Sequence, residues 1–340
     1  MNIRIASVPY TIAFRQPLVT AAGTFPQRRG FWIAIRDEDG LMGFGEAAPL
    51  PGFTRESLEE AEHILQGGFD ALKAAGPETT AYAGLLLAML DLAGRRAGRR
   101  VAEMLSPAPR TSVPVNALLR SSTPAEAAAE AAEAHAKGFQ TLKLKVGAGT
   151  PDEDEQRIAA VRDAVGANVK IRIDANASWD VETAVRLLRR FERYDLEYVE
   201  QPVAEDLAAV RKRVGVPIAA DESVRGVEQA RRLIADSAVD VLILKPMAFG
   251  GVMIGHAIAL EAFDAGVDVV VTSILDTPVG VAGALHLAAS IPGPARACGL
   301  ATVDLLEPTP AHGLDMPVAG MMSLPARPGH GVDLDVPIQW

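Results

Sequence analysis

Residues 141–147 read TLKLKVG. Leu142, Leu144 and Val146 alternate with Thr141, Lys143 and Lys145, the period-two pattern of a β-strand whose alternate side chains share a face. Two ammonium groups therefore project from one side of a strand that is apolar on the other. On an edge strand such lysines face water and discourage aggregation. In a strand with neighbours on both sides they must face an interior, and the surrounding chain decides which case applies.

From about residue 112 the sequence alternates short β-type runs with longer helical ones. SVPVNALL precedes TPAEAAAEAAEAHAKG, FQTLKLKV precedes DEDEQRIAAVRDAVG, and VKIRID precedes VETAVRLLRRFERY. The rhythm continues through LEYVE, PIAA and VDVLILK to VDVVVTS, the seventh strand, and CGLATVDLL at 298–306 is expected to be an eighth. Such alternation implies parallel strands joined by crossover helices. An open dinucleotide-binding sheet would need a Gly-rich turn after an early strand. The only candidate, VGAGT at 146–150, lacks the spacing and runs into PDED, whose charge would repel a pyrophosphate. The pattern predicts a closed (β/α) barrel of TIM type over 111–306. A barrel has no edge strand, so Lys143 and Lys145 face its interior near the mouth while the leucines and Val146 face the helices.

Residues 1–110 read as a separate α+β capping domain. MNIRIASVPYTIAF, GFWIAIRDEDG and LMGFGEAAP suggest an antiparallel meander with DEDG as a hairpin turn, and SLEEAEHILQGGFDALKA and AYAGLLLAMLDLAGRRAG suggest helices. The Pro- and Gly-rich tail, 307–340, is expected to return to this cap. Arg28 and Arg29 read as an exposed, solvated basic pair.

The 340 residues are 49% hydrophobic, enough for a sizeable core, with mean hydropathy +0.15. The net charge of −10 argues against nucleic acid or an anionic membrane as partner, yet leaves an anionic small molecule open, since local cations can dominate a site. A lone Cys298 excludes an intramolecular disulfide. The N-terminus shows no signal-peptide pattern, and the longest apolar runs are too short to span a bilayer, so a cytoplasmic enzyme is expected, as monomer or homo-oligomer.

Catalytic groups of a barrel sit at the C-terminal ends of its strands. VKIRID ends in Asp174, with Asn176 two places on; LEYVE ends in Glu200; PIAADE ends in Asp221 and Glu222; VDVLILK ends in Lys245. One acidic residue after a strand is commonly a helix N-cap. Three successive strands ending in carboxylates converge on one volume, where like charges raise each other's proton affinity. A hard cation removes the conflict, and three carboxylates with positions left open suit Mg2+. No histidine lies at a strand end, which argues against zinc. A Lys on each side of such a cation is the arrangement that removes a proton α to a carboxylate, and a Lys desolvated near cations loses proton affinity and can act as a base.

The ordered run K-x-K, D-x-N, E-Q-P, A-D-E-S and L-K-P on successive strands resembles the enolase superfamily, in its muconate lactonizing enzyme branch. The likeness spans almost the whole chain. In the first domain GEAAPLPGF followed by TRESLEEA is similar to the cap of o-succinylbenzoate synthases, and SVPVNALL and CGLATVDLL are similar to that family too. The resemblance implies Mg2+-dependent dehydration of 2-succinyl-6-hydroxy-2,4-cyclohexadiene-1-carboxylate to 2-succinylbenzoate in menaquinone synthesis, with Mn2+ as a substitute metal. It implies Asp174, Glu200 and Asp221 as metal ligands, Lys145 as base and then acid, and Lys245 as the cation on the opposite face. Lys143 would keep the proton affinity of Lys145 low. Arg172 matches an Arg of many such synthases, Asn176 and Glu222 would support the ligands, and Ser273 would touch the succinyl tail. Cap loops at Thr20–Phe25 and Leu50–Thr54 would close the mouth, with Thr20, Gly52 and Phe53 as substrate contacts.

TSILDTPVG carries Asp276 where some relatives carry Glu, and the eighth-strand end lacks the D-x-D pair with which dipeptide epimerases hold an ammonium group. Two opposed lysines equally suit an N-succinylamino acid racemase. Muconate cycloisomerase is a further option within the fold, and a non-catalytic metal-binding scaffold would be expected to have lost these lysines.

Overall fold

The computed structural model describes residues 3–20 and 23–340, excluding the side chains of Val19 and Thr20. Strands β1 (Arg4–Thr20), β2 (Gly23–Arg36) and β3 (Met42–Ala47) form an antiparallel sheet in that order. The β2–β3 turn is the expected DEDG hairpin: Asp37 Oδ1 accepts from the amides of Asp39 and Leu41, 3.0 Å each, and Gly40 supplies φ +84°. One sheet face packs Phe31, Ile33 and Ile35 against α1 (Leu58–Gln66), α2 (Gly68–Ala75) and α3 (Thr80–Ala97). The expected single helix over SLEEAEHILQGGFDALKA is two, because Gly67 ends α1 and Gly68 turns the chain at φ +65°. Helix α3 lies so close to β3 that a Cβ on Gly45 would collide with the Gly84 carbonyl.

After α4 (Val101–Leu105), SVPVNALL divides into β4 (Ser112–Pro114) and β5 (Ala117–Leu119). There follow α5 (Pro124–Ala136), β6 (Thr141–Lys145), α6 (Pro151–Val165), β7 (Lys170–Asp174), α7 (Val181–Phe191) and β8 (Leu196–Glu200). The chain continues through α8 (Leu207–Arg211), β9 (Ile218–Ala220), α9 (Val227–Ala235), β10 (Val241–Leu244), α10 (Val252–Asp264), β11 (Asp268–Val271) and α11 (Pro278–Ser290). Thr123, Thr150 and Asp180 cap α5, α6 and α7 by accepting backbone amides, so each crossover restarts at a fixed point.

Strands β5 to β11 form one parallel sheet in sequence order. The expected eighth strand is reduced to two bridge residues, Cys298 paired with Val115 and Gly299 with Thr272, which close the ring. Beyond them the chain turns away into a short 3-10 helix, Val303–Leu305. Leu142, Leu144, Ile171, Ile173, Val199, Ile218, Leu242 and Leu244 pack outward against the helices. Tyr198, Ala219, Val241, Ile243 and Val270 fill the barrel interior.

The cap joins the barrel through α11, every residue of which is buried. The Glu46 carboxylate, from β3, accepts from the Thr277 amide, the Thr277 hydroxyl (2.6 Å), the Gly280 amide (2.9 Å) and the Tyr10 hydroxyl (2.5 Å). It thus meets the positive end of the α11 dipole. Beside it, burial and the Glu46 charge push the Asp276 carboxyl up to about 7.

The tail strands are β12 (Ala311–His312), β13 (Met321–Ser323) and β14 (Asp333–Leu334). β12 pairs with β14, and β13 with β4 at the start of the barrel. His330 reaches the cap, its amide donating to Asp91 Oδ1 (2.8 Å) and its Nε2 to the Phe44 carbonyl (2.9 Å). Arg95 holds Asp333 at 2.7 Å. The buried His286 accepts from the Ala102 amide at Nδ1 (3.1 Å), so its proton sits on Nε2, facing the His330 carbonyl. No helix among the described residues is long and apolar enough to cross a membrane.

Burial, with the neighbouring His330, lowers the His286 imidazole to about 3. An unfolded His protonates near 6.5. Below that pH the unfolded chain binds a proton the folded one refuses, so stability falls with pH by up to about 1.4 kcal/mol per unit. His286→Asn should flatten the pH dependence of urea unfolding between about pH 6 and 4 by roughly one proton relative to the unsubstituted chain; equal slopes would refute this account.

Candidate active site

A cavity of about 460 Å3 opens at the C-terminal ends of the strands, between barrel and cap. Lys143, Lys145, Asp174, Asn176, Glu200, Asp221 and Lys245 line it from the barrel, and Leu50 and Phe53 from the cap. Register explains the convergence. Lys145 pairs with Asp174, and Asp174 with Glu200, so their side chains stand at one height. β6 and β10 lie four places apart in the ring, which puts Lys145 and Lys245 on opposite walls.

Lys143 Nζ bridges Asp174 Oδ2 (3.0 Å) and Glu200 Oε1 (2.6 Å). Lys245 Nζ holds both oxygens of Asp221, at 2.6 and 2.7 Å, and lies 5.0 Å from the centre of the Phe53 ring. Burial pulls the Lys143 ammonium down, but Asp174 and Glu200 more than offset it, and its proton affinity stands well above the ordinary value. Lys245 behaves alike, burial being outweighed by Asp221. Both therefore stand as cations, because each contacts carboxylates directly.

The carboxylates diverge in the same field. For Asp174, burial is outweighed by Lys143 and Lys145, which hold it below the usual range. Burial pushes Glu200 up, Lys143 opposes, and Asp174 and Asp221 add to the rise, giving about 8. Among the described residues no three ligating side chains are drawn to one point; the two ammonium groups hold the carboxylates instead. Three carboxylates from consecutive strands nevertheless form an all-oxygen donor set suited to a hard divalent cation.

Lys145 Nζ donates to Asn176 Oδ1 (2.9 Å), and Asn176 Nδ2 to Glu222 Oε1 (3.0 Å), a chain across the tips of β6, β7 and β9. Asn176 and Gln201 follow their strands with φ of +43° and +41°, left-handed conformations uncommon outside glycine that turn the loops over the mouth. The buried Gln201 had no role assigned from sequence beyond its place in E-Q-P. Its Oε1 accepts from the amides of Asp221 (3.0 Å) and Ser223 (3.1 Å), and so seats the Asp221 loop.

Arg172 does not line the cavity. It is wholly buried in the barrel, donating to Glu197 (2.6 Å) and the Ala297 carbonyl (2.6 Å), with its guanidinium 4.6 Å from the centre of the Tyr198 ring. Tyr198 and Asn116 form part of the cavity floor; their apolar surroundings in the sequence gave no signal of this. Ser273 lines the wall and hydrogen-bonds Thr302 (2.7 Å). Gly52 borders a smaller adjoining cavity of about 240 Å3, which shares Phe53, Asp221 and Lys245 with the larger one. The Thr20 side chain lies outside the described residues. Asp276 is buried beside Glu46, behind the cavity wall. Arg28 is not solvated: it is 1% exposed, in the joint between cap and barrel. Its local sequence, QRRG, contains nothing that marks it for burial.

Residues 126–338 match the family model "Enolase C-terminal domain-like", and residues 4–83 match "MenC, N-terminal domain". An o-succinylbenzoate synthase of Thermobifida fusca is 46% identical over 66% of this chain and 70% of its own length. An L-Ala-D/L-Glu epimerase of Bacillus subtilis is 32% identical over 85% of each chain. The crystal structure of a dipeptide epimerase from Enterococcus faecalis, complexed with Mg and the dipeptide L-Leu-L-Tyr, superposes with a TM-score of 0.87 at 28% identity, covering 98% of this chain and 99% of that one. A barrel with charged strand ends, a cap of the MenC kind and these likenesses agree: the chain is an enzyme of the enolase superfamily, in the muconate lactonizing enzyme subgroup and most like the o-succinylbenzoate synthases.

Proposed function

We propose that the chain is an o-succinylbenzoate synthase, a hydro-lyase that dehydrates 2-succinyl-6-hydroxy-2,4-cyclohexadiene-1-carboxylate to 2-succinylbenzoate in cytoplasmic menaquinone synthesis. The observation that carries this reading is the cap of the MenC kind in a chain 46% identical, over 66% of its length, to an o-succinylbenzoate synthase; Lys145 and Lys245, on opposite walls of one cavity with three carboxylates between them, supply the proton chemistry, which a racemase would share. The side of the cavity at the ring closure supports it: Gly299, Ala301 and Thr302 line that side, without the acidic pair a dipeptide's ammonium group would need. The same proposal divides the chain into a cap, 1–110, a barrel, 111–306, and a tail, 307–340.

Asp174, Glu200 and Asp221 would hold Mg2+, with Mn2+ as a substitute. Bound there, the cation would supply the counter-charge these carboxylates now draw from lysines and would favour negative charge on the substrate carboxylate. Lys145 Nζ takes the proton α to the ring carboxylate, leaving the C–H electron pair in the enediolate. That pair then expels the hydroxyl from the same face, Lys145 returns its proton to it, and water departs from an aromatic ring. Lys245 keeps its proton and faces the enediolate from the other side as a fixed cation. Lys143 separates Asp174 from Glu200 and places a positive charge beside Lys145. Asn176, itself held by Glu222, aims the Lys145 amine. Arg172 acts from beneath, steadying Tyr198 and Asn116 in the floor. Ser273 belongs to the wall around the succinyl tail, Phe53 covers the mouth, and Gly52 borders the adjoining cavity beside it.

Mixed with Mg2+ and the cyclohexadiene carboxylate, the protein should abolish the diene absorbance, and Lys145→Ala should cut kcat by roughly 10²–10⁴-fold. Absence of turnover together with racemisation of N-succinylamino acids would move the activity to the racemase; absence of α-proton exchange in deuterium oxide would remove both.

Gln201→Leu would strand the amides of Asp221 and Ser223, costing about 1–3 kcal/mol each. It should also weaken Mg2+ binding roughly tenfold in a calorimetric titration. Unchanged affinity would mean that Gln201 does not seat the metal site.

A further inference from the structure

Arg28 Nε donates to the Leu275 carbonyl (3.1 Å), Nη1 to those of Pro49 (2.7 Å) and Arg29 (3.3 Å), and Nη2 to those of Ala48 and Ile274 (3.4 Å for the latter). A guanidinium has five N–H donors, and here each finds a main-chain oxygen. Among the described residues no carboxylate forms an ion pair with it. Its charge is felt by Asp276, beside Glu46. A buried cation that spends every donor on carbonyls from cap and barrel ties the two together by geometry.

The two sets of carbonyls belong to the two walls of the cavity. On the cap side, Ala48 and Pro49 lead directly into Leu50. The Leu50 carbonyl accepts the amides of Phe53 (3.0 Å) and Thr54 (3.1 Å), and its amide donates to the Thr54 hydroxyl (3.0 Å). Fixing residues 48–49 therefore fixes the turn that carries Phe53 over Lys245. On the barrel side, Ile274 and Leu275 line the cavity with Ser273. Leu275 holds a left-handed φ of +63°, uncommon for a branched side chain, with its amide on Ser273 Oγ (3.2 Å), while the Ile274 amide is held by Asp276 Oδ2 (3.1 Å). Such a conformation persists only where its surroundings over-determine it.

We propose that Arg28 is a positioning residue that locks the cap turn 48–54 to the barrel loop 273–277 as one unit, giving the wall around the distal part of the substrate a single shape before substrate arrives. The inference rests on the reading of this cavity as the seat of the carboxylate chemistry. Lysine cannot replace the fork, since three donors on one nitrogen cannot serve carbonyls spread over two loops.

Hydrogen exchange tests the lock directly. In the unsubstituted protein the amides of Phe53, Thr54, Ile274, Leu275 and Thr277 should share one opening equilibrium. In Arg28→Lys both segments should exchange at least tenfold faster while the amides of β6 to β10 stay as protected as before. Kinetically, Arg28→Lys should raise KM for the cyclohexadiene carboxylate about tenfold and leave kcat within about threefold, because Lys145, Lys245 and the three carboxylates are untouched. The proposal is overturned if the two segments open at different rates in the unsubstituted protein, if Arg28→Lys loosens only one of them, or if kcat falls while KM holds. Should the unsubstituted protein fail to turn over the diene, the proposed reaction falls, and the exchange rates still decide the role of Arg28.

Discussion

Three carboxylates at one height around a barrel mouth repel one another, and burial removes the water that would screen them. Counter-charge must come from inside the site. Lys143 is set between Asp174 and Glu200, and Lys245 closes on Asp221, so that the acids and the amines are each other's condition for being buried. The surrounding structure serves this balance: the register that brings the strand ends level, the left-handed turns after β7 and β8, and Gln201 beneath the Asp221 loop. Removing one charge would leave its partner buried and unpaired, which costs far more than the pair itself contributes.

Much of this was legible in the sequence because strand periodicity is local. In TLKLK or VKIRID the alternation states which side chains face inward, and the last inward residue names the group at the mouth. The barrel, the antiparallel cap and the meeting of the charged strand ends follow from that periodicity together with the alternation of strands and helices. What each group does there is a chemical proposal, since position does not assign a role. The features that escaped depend on distant partners. The eighth strand looked like its neighbours in CGLATVDLL, but only Cys298 and Gly299 are needed to close the ring before the chain turns outward. Arg28 and Arg29 form an ordinary basic pair in one dimension, and the carbonyls that bury the first of them lie up to 247 residues away. The proton affinities of Lys143 and Lys245 depend on which charge is nearest, which composition cannot tell.

The fold also divides its labour. Outward-facing leucines, isoleucines and valines hold the barrel to its helices, where a large-to-small change such as Leu144→Ala would be expected to cost about 2–5 kcal/mol. The interior is given over to Tyr198 and smaller residues, with Arg172 and Glu197 paired beneath the floor. Stability and chemistry thus occupy opposite faces of the same strands, and the loops at the mouth can vary without disturbing the outer layer.

Helix α11 has a consequence for how the chain comes into being. It is buried on every side, with His286 and Ser290 as its only polar side chains, and its first turn is completed by Glu46, from a strand made 231 residues earlier. During synthesis the cap emerges first, carrying half of a joint whose other half is among the last segments of the barrel to be made. Until Thr277 and Gly280 arrive, the Glu46 carboxylate lacks its amide donors; until the cap is in place, α11 has one flank with nothing to cover it. Because the cap is made first, its surface is available to cover α11 as soon as the helix leaves the ribosome.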